Sequence, residues 1–261
     1  MDQHDYRFIT FEPARPVVTV TLNHSEKRNA LSLEMMRELT HALVSAGEDP
    51  KTRVVIIRAN GPVFSSGHDL RELQSNDAAA QRETFALCVG LMETLQRIPQ
   101  PVIAEVAGLA SAAGCQLVAA CDLVMAAANA KFAVPGVRIG LFCSTPMVAL
   151  TRVIGRKRAM EMLLTGDPID AQTAADWGLV NHVVPIDELN SATWQLAQKI
   201  ASLSGPTIAL GKKAYYAQLE LAQADAYSYT REVMSSNLCA PDAREGMAAF
   251  LEKRTPNWRD Q

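Results

Sequence analysis

The stretch that decides the fold runs from Pro101 to Ala128, PVIAEVAGLASAAGCQLVAACDLVMAAA. It opens on PVIAEV, a short apolar run of strand type. Small residues follow, then Gly114 to Ala120 with the length of a short helix, then DLVMAAA as a second buried strand. Strand, small-residue loop, helix and strand in that order make a βα unit of a largely parallel sheet covered by helices. Glu105, Gln116 and Asp122 interrupt the apolar run, which favours a buried αβ core over a membrane span.

The same alternation extends toward the N-terminus. YRFITFE and VVTVTL read as strands joined by a PARP turn. SLEMMRELTHALVSAGED carries Leu33, Met36, Leu39, Leu43 and Val44 at helical spacing, with Ser32 placed to cap it. RVVIIRA is a strand, NGPVFSSGHDL a turn-rich loop, and Ala78 to Ile98 a long helix that Pro99 and Pro101 stop. After about Pro135 the strands thin out. RKRAMEMLLTG, DAQTAADWG and ELNSATWQLAQKIASLS read as helices, and from Pro206 onward the chain is helical almost throughout. SLSGP, residues 202–206, is the candidate seam between a sheet-rich part and a helical tail.

At 261 residues with 48% hydrophobic content, the chain can bury a large core, as one domain or a domain with an appendage. A formal charge of −3 and the lack of a basic run argue against nucleic acid as a partner. Cys88, Cys115, Cys121, Cys143 and Cys239 form no CxxC pair, so free thiols in a reducing compartment are expected. The opening MDQHDYRF is too charged for a secretory segment and too acidic for a transit peptide. A soluble, cytoplasmic protein with no membrane partner is therefore the expectation. The histidines are scattered without an HExxH motif, so no metal site is expected. GxGxxG is absent after the first strand, and GxSxG is absent altogether. Ser66, His68 and Asp69 lie too close along one loop to form a nucleophilic triad.

Ligands of open αβ sheets sit beyond the carboxyl ends of the strands. Two loops fit that rule, FSSGHD after RVVIIRA and GLASAAGC after PVIAEV. Their small residues would let backbone N–H groups approach a ligand oxygen, and a pair of such donors can hold an enolate oxyanion. Close packing is the alternative use of the same residues.

Several ordered motifs then make the chain resemble the enoyl-CoA hydratase/isomerase (crotonase) family: EKRNALS, VFSSGHDLREL, the run from PQPVIAEV to GVRIGL, GRKRAMEMLLTGDPIDAQTAADWGLVNHVVP, and EGMAAFLEKR. The resemblance implies an α/β fold, a spiral of ββα units over residues 1–203, with a helical trimerisation region at 204–261. It implies a homotrimer or a hexamer built as a dimer of trimers. It implies an acyl-CoA thioester as ligand, with coenzyme A entering only as part of the substrate and no permanently bound cofactor. Ser66 and Ala113 would supply the oxyanion N–H groups. The backbone at Lys27, Arg28 and Ala30, and at Ser66, Gly67, His68 and Asp69, would line the coenzyme path. Phe250 and Lys253 would meet the adenine and phosphates across a subunit boundary. Acyl-chain length would depend on the stretch from Leu70 to Glu93.

Hydratases of that family carry glutamates at the positions of Gln116 and Gly136. Hydration needs a water deprotonated and a proton delivered, each assist being worth roughly 10²–10⁴-fold. With an amide and a glycine there, ordinary enoyl-CoA hydration is expected to be weak or absent. His68, Ser144 and Cys143 are the candidates to replace the missing groups. Each also has a local reading. Asp69 would cap the helix entered at Leu70, Ser144 the helix containing Pro146, and Cys143 would be a small buried hydrophobe. Glu105 and Asp122 read as paired structural acids. The alternative to an enzyme is a catalytically silent CoA-thioester-binding protein of the same fold.

Overall fold

The computed structural model describes residues 5–74 and 77–259. Residues 1–4 of MDQHDYRF, and 75–76 within the Leu70–Glu93 stretch, lie outside it. Strands β1 (Ile9–Ala14) and β2 (Val17–Leu22) form an antiparallel hairpin. A 3-10 turn at Ser25–Lys27 leads to α1 (Leu33–Glu48), where the Ser32 side chain accepts from Met35 N–H as expected. A unit of strand, short strand and helix then begins. It comprises β3 (Val54–Ala59), β4 (Val63–Ser65), the single turn α2 (Leu70–Leu73) and α3 (Ala78–Arg97). The second unit is β5 (Val102–Val106), β6 (Leu109–Ser111) and α4 (Ala113–Ala120). The third is β7 (Leu123–Ala127) and β8 (Lys131–Ala133), closed by a 3-10 turn at Pro135–Ile139.

The long strands join one sheet in the order β1-β2-β3-β5-β7, parallel from β2 onward. β10 (His182–Val184) extends it beside β7. The short strands form a second sheet, β4-β6-β8, closed by antiparallel β9 (Ile169–Asp170). Successive units thus climb as a ββα spiral, the expected fold class. The second sheet was not expected. NGPVFSSGHDL and GLASAAGC read as loops, yet each holds a three-residue strand, too short to show a period of two.

Strand composition follows from double-sided burial. Val55 and Ile57 face the main core with α1, α3 and α4, while Val54 and Ile56 face the other side of the sheet, against α8 (Leu189–Ala201). The remaining helices are α5 (Ser144–Val153), α6 (Arg156–Thr165), α7 (Ala171–Trp177), α9 (Gly205–Leu219), α10 (Gln223–Leu238) and α11 (Pro241–Glu252). Among the described residues no helix is long and apolar enough to cross a membrane, and no group of three or more His, Cys, Asp or Glu could hold a metal ion. All five cysteines are free thiols.

Candidate active site

The pairing of β4 with β6 brings together the two loops that follow them. Gly67, at φ +91°, is held against Ala112 and Ala113. A Cβ on Gly67 would lie 2.8 Å from Ala112 Cβ and 3.2 Å from Ala113 N. Only glycine combines that contact with that backbone angle. Ala112 also has positive φ, +50° with ψ −118°, which turns the peptide entering α4. Non-glycine residues rarely adopt this conformation, and it marks a functional loop more often than a plain turn.

Among the described residues, the N–H groups of His68 and Ala113 donate to no acceptor. Ala113 N–H sits at the positive end of α4. Ser66 is different, because its N–H donates to the Arg28 carbonyl at 3.0 Å. A single N–H so committed has nothing left for a ligand, which corrects Ser66 as an oxyanion donor. His68, two residues on, carries the free amide.

The EKRNALS segment is laced to the same loop. Leu31 N–H donates to Gly67 O at 2.8 Å, beside the Ser66–Arg28 bond. Asn29, at φ +50° and fully buried, binds both ways. Its Oδ1 accepts from His24 N–H, and its Nδ2 donates to the Asn60 and Val63 carbonyls. Sequence reasoning passed over Asn29. An asparagine within a turn, where it tolerates left-handed backbone, was the available signal. Lys27 and Arg28 are exposed on this turn, and Ala30 is buried.

The loops open onto a cavity of about 620 Å³ bounded by Ser66, His68, Ala113, Gly136, Cys143 and Ser144. Leu70, Leu73, Phe85, Ile139, Leu141 and Phe142 make the rest of its wall largely apolar. Among the described residues no carboxylate belongs to that wall, and its one cation, Arg138, is paired with Asp167. His68 Nδ1 lies 3.4 Å from Leu31 O, its ring stands edge-on to Phe85, and its Nε2 is buried without a partner. Burial pulls the His68 pKa below its ordinary value, only partly offset by the Leu31 contact, so the ring is neutral at pH 7. Burial raises the Cys143 thiol, and the Gly136 backbone hydrogen bond lowers it less. Asp69 caps α2 by accepting from Arg71 N–H. Ser144 is the first residue of α5 rather than its cap, and its Oγ donates back to Phe142 O at 3.2 Å.

Other expected residues are not gathered here. Gln116 is 4% exposed, accepts from Cys88 Sγ at 3.8 Å, and borders a separate cavity of about 610 Å³ beside Met92 and Tyr215. A carboxylate among such neighbours would lose its hydration without gaining a cation. Phe250 is 83% exposed on α11 and Lys253 ends that helix in left-handed backbone, neither bordering the acyl-sized cavity. A larger open groove of about 980 Å³ between β1 and α1 contains the paired Arg15 and Asp49, away from the two loops.

Gly136 explains itself by contact. A Cβ there would meet Leu141 O at 2.6 Å and Cys143 Sγ at 2.8 Å, so the 141–143 loop fills the space of a side chain. Gly136→Ala should therefore cost about 1–3 kcal/mol by overpacking. Adding Cys143→Ala should recover only part, since the Leu141 carbonyl remains. Urea unfolding of both variants checks this.

The comparisons agree with this architecture. Residues 12–261 match the family model described as enoyl-CoA hydratase/isomerase. The chain is 50% identical over 242 residues to enoyl-CoA hydratase domain-containing protein 3, mitochondrial, of Homo sapiens, covering 92% of this chain and 79% of the relative. The Xenopus laevis protein of the same name is 49% identical over 240 residues, covering 92% and 82%. Among solved structures, an enoyl-CoA hydratase of Mycobacterium smegmatis superposes with TM-score 0.94 at 43% identity, covering 97% of this chain and 99% of that one. Human enoyl-CoA hydratase domain-containing protein 3 does so with TM-score 0.94 at 46% identity, covering 97% and 100%. The vertebrate relatives are named as mitochondrial proteins, which overturns the cytoplasmic expectation drawn from the charged, acidic opening MDQHDYRF. With a ββα spiral, the matching motifs and these similarities together, the chain belongs to the enoyl-CoA hydratase/isomerase family.

Proposed function

We infer that the cavity binds an acyl-CoA thioester and stabilises its enolate between the N–H groups of His68 and Ala113. The observation that carries this reading is the pair of acceptor-free amides on loops held in van der Waals contact. Each such donor, aimed at developing charge in a site that excludes water, is worth about 2.7–4 kcal/mol. The apolar wall suits an uncharged acyl chain. The EKRNALS turn and the Gly67–Asp69 backbone line the approach for the coenzyme. Exposed Tyr227, Met234 and Leu238 on α10, with Phe250 and Leu251 on α11, support assembly into a homotrimer or hexamer. In that assembly Phe250 and Lys253 would serve a neighbouring subunit's coenzyme.

Gln116 and Gly136 stand at the positions of the hydratase glutamates, and among the described residues no carboxylate borders the cavity. Crotonyl-CoA hydration should therefore be slower than in a two-glutamate hydratase by at least about 10²-fold. Enolate formation is separable from hydration. Incubating saturated acyl-CoA with the protein in D₂O, and following deuterium uptake at the α-carbon by mass spectrometry, tests it directly. Uptake above the protein-free rate supports an enzyme. Saturable binding without uptake would show a silent thioester-binding protein instead. Hydration at the rate of a two-glutamate relative would overturn the reasoning from the missing acids.

A further inference from the structure

We propose that the cavity of about 610 Å³ between α3, α4, α5 and α9 is a second binding site, for a small uncharged molecule with an apolar body and one oxygen that accepts from Gln116 Nε2. This does not rest on the enolate reading, and it gives Gln116 a task other than proton transfer.

The site stands apart from the first. Its walls are Val89 and Met92 of α3, Val118 and Ala119 of α4, Val148 of α5 and Tyr215 of α9. Among the described residues Thr145 alone borders both cavities. Ala113, the first residue of α4, borders the first cavity, and Gln116, one turn further along, borders the second. An apolar hollow with one or two placed polar groups is the usual form of a small-molecule site.

Gln116 is the group that points to a ligand. It is 4% exposed, yet its Nε2 donates to no acceptor among the described residues. Unlike His68 Nε2, this atom is not sealed off, and the cavity its residue borders is this one. Cys88 decides which end of the amide turns outward. Burial pushes the Cys88 thiol up to about 12, so its sulfur stays protonated and donates to Gln116 Oε1 at 3.8 Å. The –NH₂ end is then left toward the cavity, with donors and no acceptor. A donor in so buried a residue is rarely left without a partner.

Charge selects what can enter. Other polar groups of the wall are already engaged. Asp122 accepts from Lys212 Nζ and Tyr216 Oη, and Asn181 Oδ1 accepts from Val124 N–H. Arg152, the one cation among the described border residues, lies 3.5 Å from Glu220, and Glu93 adds a further acid. A carboxylate or phosphate would meet acids without a free cation to offset its lost hydration, which excludes a coenzyme thioester. A ketone, ester or amide carbonyl brings an oxygen that accepts and carries no charge, which is what Gln116 Nε2 lacks.

The test is calorimetry with 2-octanone on the full-length protein in its native assembly, with butyryl-CoA held at saturation so that the first cavity is filled. Saturable uptake is expected, weakened about 2–10-fold in Gln116→Met, which keeps the side-chain length and removes the donor. The infrared C=O stretch of bound, carbonyl-¹³C-labelled 2-octanone gives a readout that packing alone would not move. It should lie at lower frequency in the parent than in hexane, and return toward the hexane value in Gln116→Met. Uptake that butyryl-CoA abolishes would place the ketone in the first cavity and overturn the second site. So would equal affinity in Gln116→Met or a hexane-like stretch in the parent. Failure of the assembled protein to take up 2-octanone would mean that a neighbouring copy fills the hollow, which also overturns it.

Discussion

Ala113→Pro is expected to slow α-proton exchange, and any turnover of an acyl-CoA thioester, by about 10²–10³-fold, with some loss of stability because the proline ring crowds Ala112 at φ +50° and ψ −118°. Proline removes the one N–H that α4 presents at the meeting of the two loops, and deletion of one oxyanion donor carries a penalty of that size. Ala113 is the first residue of α4, where a helix accommodates proline because the N–H has no partner within the helix. The ring carbon replacing the amide hydrogen also occupies the point a thioester oxygen would need. Ala113→Gly is the control, since it keeps the N–H and should stay within a few-fold of the parent. A thermal melt of each variant separates a lost donor from a lost fold. If Ala113→Pro exchanges at the parental rate, the oxygen is held elsewhere.

Why the loop leading into α4 was legible in the sequence as a place for free donors, and the free N–H of His68 was not, follows from how each is built. A helix N-terminus after small residues announces free donors by its position alone, and ASAAGCQL has that form. The choice between Ser66 and His68 depends on which amide the chain's own carbonyls capture, and Arg28 lies 38 positions away from Ser66 in a turn whose left-handed residues leave no periodic trace. The long strands were readable because burial on both faces makes RVVIIRA and PVIAEV uniformly apolar. β4, β6 and β8 were not, because a three-residue strand is specified by the neighbours it stacks on. Gln116 and Gly136 illustrate the same limit. Their chemistry, an amide and a missing side chain, is evident from the letters. That one packs against Cys88 beside a different cavity, and that the 141–143 loop occupies the other's space, depends on contacts across the fold.

Lys212→Met is expected to cost about 3–5 kcal/mol in unfolding free energy, the range for breaking a buried ion pair from one side. Lys212 is only 9% exposed on α9, in a Lys-Lys pair whose second member, Lys213, faces solvent. Its Nζ donates to Leu95 O at 2.7 Å, Gln100 O at 2.8 Å and Asp122 Oδ2 at 2.7 Å. Burial depresses the lysine pKa and the Asp122 carboxylate opposes that shift, which is how the ammonium stays charged inside. Asp122 also accepts from Tyr216 Oη and from Val102 N–H, so one carboxylate binds α9 to the ends of two core strands. Methionine preserves the stem's volume but leaves the acid with no cation and two carbonyls with no donor. Lys212→Met with Asp122→Asn should recover about 1–3 kcal/mol relative to the single change, because the stranded charge is gone and an amide oxygen can still accept, while the carbonyls remain unpaired. Lys213→Met should stay within about 0.5 kcal/mol of the parent. Urea unfolding gives the values, and amide hydrogen exchange along α9 should rise selectively in Lys212→Met. A single-variant loss below about 1 kcal/mol would mean that α9 holds to the core by its apolar contacts, and that the buried cation is incidental.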